Sequence, residues 1–194
     1  MKAKPRLSHV DARGAARMVD VAAKPETARA ATASAAVKMK RETLRLVERA
    51  SSARGASRAR GAGGKGDVLA VARVAGIMAA RRTAELIPLC HPVRLTSCDV
   101  DLTIDRALPG VRIRATARAV DRTGVEMEAL TAAATAALTI YDMVKAAERG
   151  VEIRVVRLEE KQGGRSGHWR RGGQRPTRGD QRRLKPIARR PASK

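Results

Sequence analysis

Two runs decide the fold: CDVDLTID at residues 98–105 and VRIRATAR at 111–118. In each, apolar and polar residues alternate, the period of a strand with one buried face. Residues 107–110, ALPG, supply a turn between them. With Leu108 facing Pro109 across that turn, Asp105 lies opposite Arg112 and Asp99 opposite Arg118. The same register sets Ile104 against Ile113 and Leu102 against Ala115. Opposite charges then meet on one face and apolar side chains on the other. The stretch predicts an antiparallel hairpin with one wet face.

Working outward, residues 123–150 read TGVEMEALTAAATAALTIYDMVKAAERG. Leu130, Ala134, Ala137, Tyr141 and Val144 mark a helical stripe, and Arg149–Gly150 is a C-terminal signal. Residues 151–158 read as a strand. Upstream, residues 65–83 form a second helix pattern, with Asp67 as N-cap and Val71, Val74, Ala75 and Met78 at helical spacing. Arg81 and Arg82 in its last turn complement the helix dipole. Residues 40–50 read as a short helix. Residues 26–39 are ambiguous: alanine favours helix, but the alternation of Arg29, Ala31, Ala33, Ala35, Val37 and Met39 suits a strand. Residues 51–64, SSARGASRARGAGG, have the composition of a loop. The order of elements points to an α+β fold, an antiparallel sheet with helices packed on one face.

The chain of 194 residues is long enough for one domain with a core. It has no Phe, one Trp and one Tyr, so the core is built from Ala, Val, Leu, Ile and Met. Small side chains predict close helix-on-sheet packing. The net charge of +22 favours a polyanionic partner. Charge is densest in residues 162–194, which hold eleven Lys and Arg against one Asp. Such a segment buries too little apolar surface to offset its ordering entropy, so disorder is expected past about residue 170. Cys90 and Cys98 form neither a disulfide framework nor a CxxC pair and read as free thiols. No apolar run approaches the roughly 20 residues of a membrane span, and no secretory signal follows the basic start. A cytoplasmic protein is expected.

The segment LIPLCHP at 86–92 is stiff and non-helical, because Pro88 and Pro92 restrict the residues before them. It presents His91 in a fixed direction. Neighbours in an extended segment point to opposite faces, which argues against a Cys90–His91 nucleophile pair. No second Cys or His stands at ligand spacing, so no metal site is expected. On composition alone, the ordinary reading of His91 is a satisfied strand-end histidine. Asp142 and Lys145 share a helix face and read first as a surface ion pair. Glu126 and Glu128 suit a helix N-terminus. Lys65 sits between glycines before a helix, a phosphate-binding context, although the P-loop spacing is absent. KQGGRSG at 161–167 is a second basic, glycine-rich loop.

Taken together, these motifs resemble the MoaC family, the cyclic pyranopterin monophosphate synthases of molybdenum cofactor biosynthesis. The resemblance is carried by KGDVLAVARVAGIMAARRTAELIPLCHPV, TGVEMEALTAAATAALTIYDMVKA and RLEEKQGGRSG, in the family's order. It spans residues 18–167, leaving a lead-in at 1–17 and a basic tail at 168–194. It implies a ferredoxin-like sandwich, with 26–39 as a strand. It implies conversion of 3′,8-cyclo-7,8-dihydro-GTP to cyclic pyranopterin monophosphate with loss of pyrophosphate, a lyase reaction that needs no redox cofactor. By position, Asp142, Lys145 and Lys65 match the catalytic residues. Leu89, Cys90, His91, Met127 and Glu128 match substrate-binding segments, with Glu126, Lys161 and Arg165 as further pocket residues. Cys90 then serves packing, not attack. A homohexamer, a trimer of dimers with each pocket shared between two subunits, is implied too.

The substrate's triphosphate suits Lys65, Lys145, Lys161 and Arg165. Crowded lysines would lower one another's pKa and so supply proton transfers near neutrality. Two departures stand out. Arg165 replaces the family's usual lysine; it keeps the charge but cannot serve as acid or base. The loop before Lys65 is longer and more basic than usual. Two other readings remain. One is a nucleic-acid binder, reduced by the lack of aromatics to weak, salt-sensitive contact through the tail. The other is a pterin-binding protein without turnover.

Overall fold

The computed structural model describes residues 9–11, 13–52 and 67–172. Lys65, most of the expected loop at 51–64 and most of the tail expected to be disordered past about residue 170 lie outside them. The elements run β1 (Thr27–Lys38), α1 (Arg41–Ala50), α2 (Val68–Arg81), α3 (Thr83–Leu86), β2 (Leu95–Asp105), β3 (Gly110–Asp121), α4 (Glu126–Val144), β4 (Glu152–Gln162) and the short β5 (Trp169–Arg170). All neighbouring strands are antiparallel, in the order β2-β3-β1-β4-β5. The first four strands with α2 and α4 make the β-α-β-β-α-β arrangement of a ferredoxin-like fold. No helix among the described residues is long and apolar enough to cross a membrane.

The ambiguous segment is a strand, the central one. β1 pairs along its length with β3 and from Ala30 to Lys38 with β4. Alanine's helix propensity is overridden because this position needs side chains small enough to lie beneath a closely packed helix. Ala31, Ala33 and Ala35 on β1 and Ala115, Ala117 and Ala119 on β3 are all buried. Above them lie Ala129, Ala132, Ala133, Ala136, Ala137 and Ile140 of α4, each without exposed surface. This is the buried stripe. Leu130 and Tyr141, read from the sequence as part of it, stand at its half-buried margins. α2 packs on α4 and β2, with Asp67 capping it by accepting from the backbone N–H groups of Leu69 and Ala70.

The hairpin forms, with its register shifted by two residues. Asp105 lies opposite Gly110, Ile104 opposite Val111 and Leu102 opposite Ile113. The cause is a wider turn: the Asp105 carboxylate accepts from the N–H groups of Ala107 and Leu108 at 2.9 and 3.0 Å, so four residues span the bend. A slip of two keeps every side chain on its face. The expected pairs Asp105–Arg112 and Asp99–Arg118 still form, now on the diagonal, the second at 2.9 Å. The Leu108 N–H and the Arg112 guanidinium hold the Asp105 carboxyl below its usual range.

α4 ends at Val144, short of the Arg149–Gly150 signal. The chain is drawn off the helix axis by two ties. The Tyr141 hydroxyl donates to the Arg149 carbonyl at 3.1 Å. The Glu148 carboxylate accepts from Lys40 N at 2.9 Å and from the Thr43 hydroxyl at 2.6 Å.

Gly76 marks how closely the helices approach. A Cβ there would lie 2.9 Å from the Ala132 carbonyl oxygen and 3.3 Å from both Ala136 Cβ and Val100 Cγ2. Gly76→Ala is expected to lower stability by about 1–3 kcal/mol in denaturant unfolding, although alanine is the better helix former. An unchanged or raised midpoint would mean that α2 and α4 are not held this close.

Candidate active site

A cavity of about 590 Å³ opens at one end of the sandwich, where three segments recognised by motif meet the N-terminal stretch that brings His9, Val19, Val21 and Lys24. The first is the non-helical run after α3. Cys90 N–H bonds to the Ile87 carbonyl at 3.0 Å, closing a turn around Pro88. Leu89, Cys90 and His91 all line the cavity. The Cys90 thiol turns toward Glu128, 3.9 Å from Oε1. Burial, then the Glu128 charge, pushes this thiol's pKa up. A raised pKa leaves less of the thiolate that would attack.

The second segment is the start of α4. Glu126 and Met127 line the cavity. Glu128 does not: its side chain is buried behind the Cys90 wall, at 2% exposure. Burial and the neighbouring Glu126 charge raise its pKa. Its Oε2 has no hydrogen-bond partner among the described residues.

The third segment is the end of β4 and the loop after it, bringing Lys161 and Arg165 to the cavity. Gly163 and Gly164 have φ of +91° and +70°, a region that favours glycine. Their lack of a side chain also lets the loop close onto β1. A Cβ on Gly163 would strike the Ala28 carbonyl oxygen, and one on Gly164 would strike the Arg29 guanidinium.

Arg29 is the residue that sequence reasoning passed over. It lines the cavity and spans two of its walls. Its guanidinium lies under Gly164 and donates to the carbonyls of Asp121 and Arg122, both at 3.2 Å. A signal existed. Arg29 shares strand parity with the buried Ala31, Ala33 and Ala35, where a charge demands a reason. Lys24 and Arg122 also line the cavity. With Lys161 and Arg165 they oppose a single lining carboxylate, Glu126. The site suits an anion of several charges. No cluster of metal-ligating side chains occurs among the described residues.

Asp142 and Lys145 stand elsewhere. Lys145 Nζ is 2.5 Å from Asp142 Oδ1, and both side chains are more than half exposed. From Met127 to Asp142 is about 22 Å of helix, so this pair and the cavity occupy opposite ends of α4. Contrary to the expectation of lysines depressed by crowding, Lys145 is raised within one chain by its hydrogen bond and charge contact with Asp142.

The MoaC family model matches residues 18–164. The chain is 58% identical over 165 residues to the cyclic pyranopterin monophosphate synthase of Thermomicrobium roseum, covering 85% of this chain and 93% of that protein. It is 56% identical over 163 residues to the protein of that name from Cereibacter sphaeroides, covering 84% and 96%. It is 54% identical over 164 residues to the one from Brucella ovis, covering 84% and 93%. The chain belongs to the MoaC family.

Gly164→Ala tests the cationic wall. The added methyl forces Arg29 and the loop apart, and a weakening of inorganic tripolyphosphate binding by about tenfold or more is expected in calorimetry. Native affinity in this variant would detach Arg29 and the loop from anion binding.

Proposed function

We propose that this MoaC-family chain is a cyclic pyranopterin monophosphate synthase of molybdenum cofactor biosynthesis. It acts as a phosphorus–oxygen lyase on 3′,8-cyclo-7,8-dihydro-GTP, forming cyclic pyranopterin monophosphate and releasing pyrophosphate in the cytoplasm. The observation that carries this reading is the cationic cavity, with residues of LIPLCHP, Glu126 and Met127 at the start of α4, and residues of the KQGGRSG loop among its walls. The relatives' shared name supports it.

In this reading the triphosphate lies against Lys161, Arg165, Arg29, Lys24 and Arg122. These charges neutralise the pyrophosphate that departs. Arg165 binds phosphate here, so its replacement of lysine costs no proton chemistry. His91, aimed by its flanking prolines, faces the ring system with Leu89, Met127 and Glu126. Glu128 acts from behind, holding the Cys90 wall. Ring opening and reclosure need proton transfers, assigned as a group to Lys65, Asp142 and Lys145.

About 22 Å of helix keeps Asp142 and Lys145 from their own chain's cavity. A second copy supplies them in a homohexamer built as a trimer of dimers, each pocket shared between two subunits. Exposed apolar side chains along α2, at Val71, Val74 and Met78, and Leu138 on α4 support such contacts. Joining a pocket dense in cations would also draw Lys145 down from its raised position.

The reaction is tested with purified protein and the cyclised GTP intermediate, following pyrophosphate and cyclic pterin together. Turnover is expected, with a fall of at least a hundredfold in kcat for Asp142→Ala, on the order of a lost general acid or base. Substrate bound tightly without product would instead favour a pterin-binding protein that has lost turnover.

A further inference from the structure

The family match ends at residue 164, but the ordered chain continues. After Gly167, which has φ of +62°, it turns back along β4 and pairs as β5. Trp169 lies directly opposite Lys161, and Arg170 opposite Glu160. Directly opposed residues of antiparallel strands project to the same face with Cβ atoms about 5 Å apart. Trp169 therefore stands beside a cavity lysine.

The return strand is tied on both sides. The Arg171 N–H donates to the Glu159 carbonyl at 2.8 Å, and its guanidinium to the Leu158 carbonyl at 2.8 Å. His168 Nε2 and Glu160 Oε1 are 2.7 Å apart, and Lys161 bonds the Ser166 hydroxyl. The indole nonetheless remains 42% exposed. The Arg171 guanidinium lies over the ring, 5.8 Å from its centroid. An exposed Trp with a cation over one face, held beside a basic cavity, is a platform for a flat ring attached to phosphates.

Composition sharpens the point. The chain has one Trp, one Tyr and no Phe. Tyr141 lies near the far end of α4, so Trp169, beside the cavity lysine rather than in the cavity lining, is the one Phe, Tyr or Trp side chain near this end of α4. We propose that Trp169 is a substrate-contacting residue that stacks on the fused ring of the nucleotide-derived substrate. This rests on the synthase reading and adds a contact to it. The indole selects for a flat bicyclic ring, while the cations around it take the phosphates.

The single Trp makes the test direct, because emission reports position 169 alone. The full chain is titrated with GTP, which carries ring and triphosphate, and with inorganic tripolyphosphate, which carries only the latter. GTP is expected to change Trp emission. By calorimetry, Trp169→Leu is expected to weaken GTP binding about tenfold and to leave tripolyphosphate binding within about twofold. Trp169→Phe, which keeps a ring, restores most of the GTP affinity. The inference is overturned if GTP leaves native emission unchanged. Equal loss of both ligands in Trp169→Leu also overturns it, since that marks a purely structural role for β5. So does native GTP affinity in that variant. Should the native protein make no cyclic pterin while ring and triphosphate remain separable in this way, the synthase reading fails and the stacking contact stands.

Discussion

The close contact between α4 and the sheet sets the rest of the structure. Alanine meets alanine across this interface, and Gly76 brings α2 against the backbone of α4. Side chains this small leave little room for sliding or tilting, since the interior is close-packed and displacement opens voids. α4 is therefore fixed along its axis. Its first turn delivers Glu126 and Met127 to the cavity, and its last turn carries Asp142 and Lys145 outward. A core of aromatic wedges would hold the helix farther off and shift both ends.

That fixed length has a chemical consequence. Five cations gather where the triphosphate is proposed to lie, yet the carboxylate–lysine pair matched to catalysis stands a helix length away. In the proposed function, neither end is a complete active site by itself. The cationic end is assembled from β1, the approach to α4 and the loop after β4, with Arg29 tying them together from a core-parity position. Gly163 and Gly164 let the loop settle on that guanidinium. The Asp142–Lys145 end needs no such assembly, because an i,i+3 pair on one helix face forms locally.

Much of this was legible in the sequence, for reasons that differ by residue. Strict alternation at 98–105 and 111–118 revealed the hairpin and its faces. The exact register was not legible, because it depended on the Asp105 side chain widening the turn. β1 could not be read from alanine propensity, since its strand state is imposed by β3, β4 and the helix above. The end of α4 was misplaced because Tyr141 and Glu148 tie down the following turn through contacts with residues distant in sequence or beyond the helix. LIPLCHP, Glu126, Met127, Lys161 and Arg165 were recognised by motif and do meet in one cavity. Arg29 carried a signal that passed unread. The return of β5 onto Lys161 had almost none, being two residues of strand in a basic, glycine-rich stretch.

In the proposed shared site, one chain's cavity is completed by Asp142 and Lys145 of another. The measurement co-expresses two variants, Lys161→Ala and Asp142→Ala, each expected to be inactive alone, and assays mixed oligomers verified by mass spectrometry. In a mixed pair, one pocket combines the intact cationic wall of the Asp142→Ala chain with the intact Asp142–Lys145 pair of the Lys161→Ala chain, so activity is predicted to return in part. Verified mixed oligomers that stay as inactive as either variant would contradict the shared site and place both residues in the service of one chain.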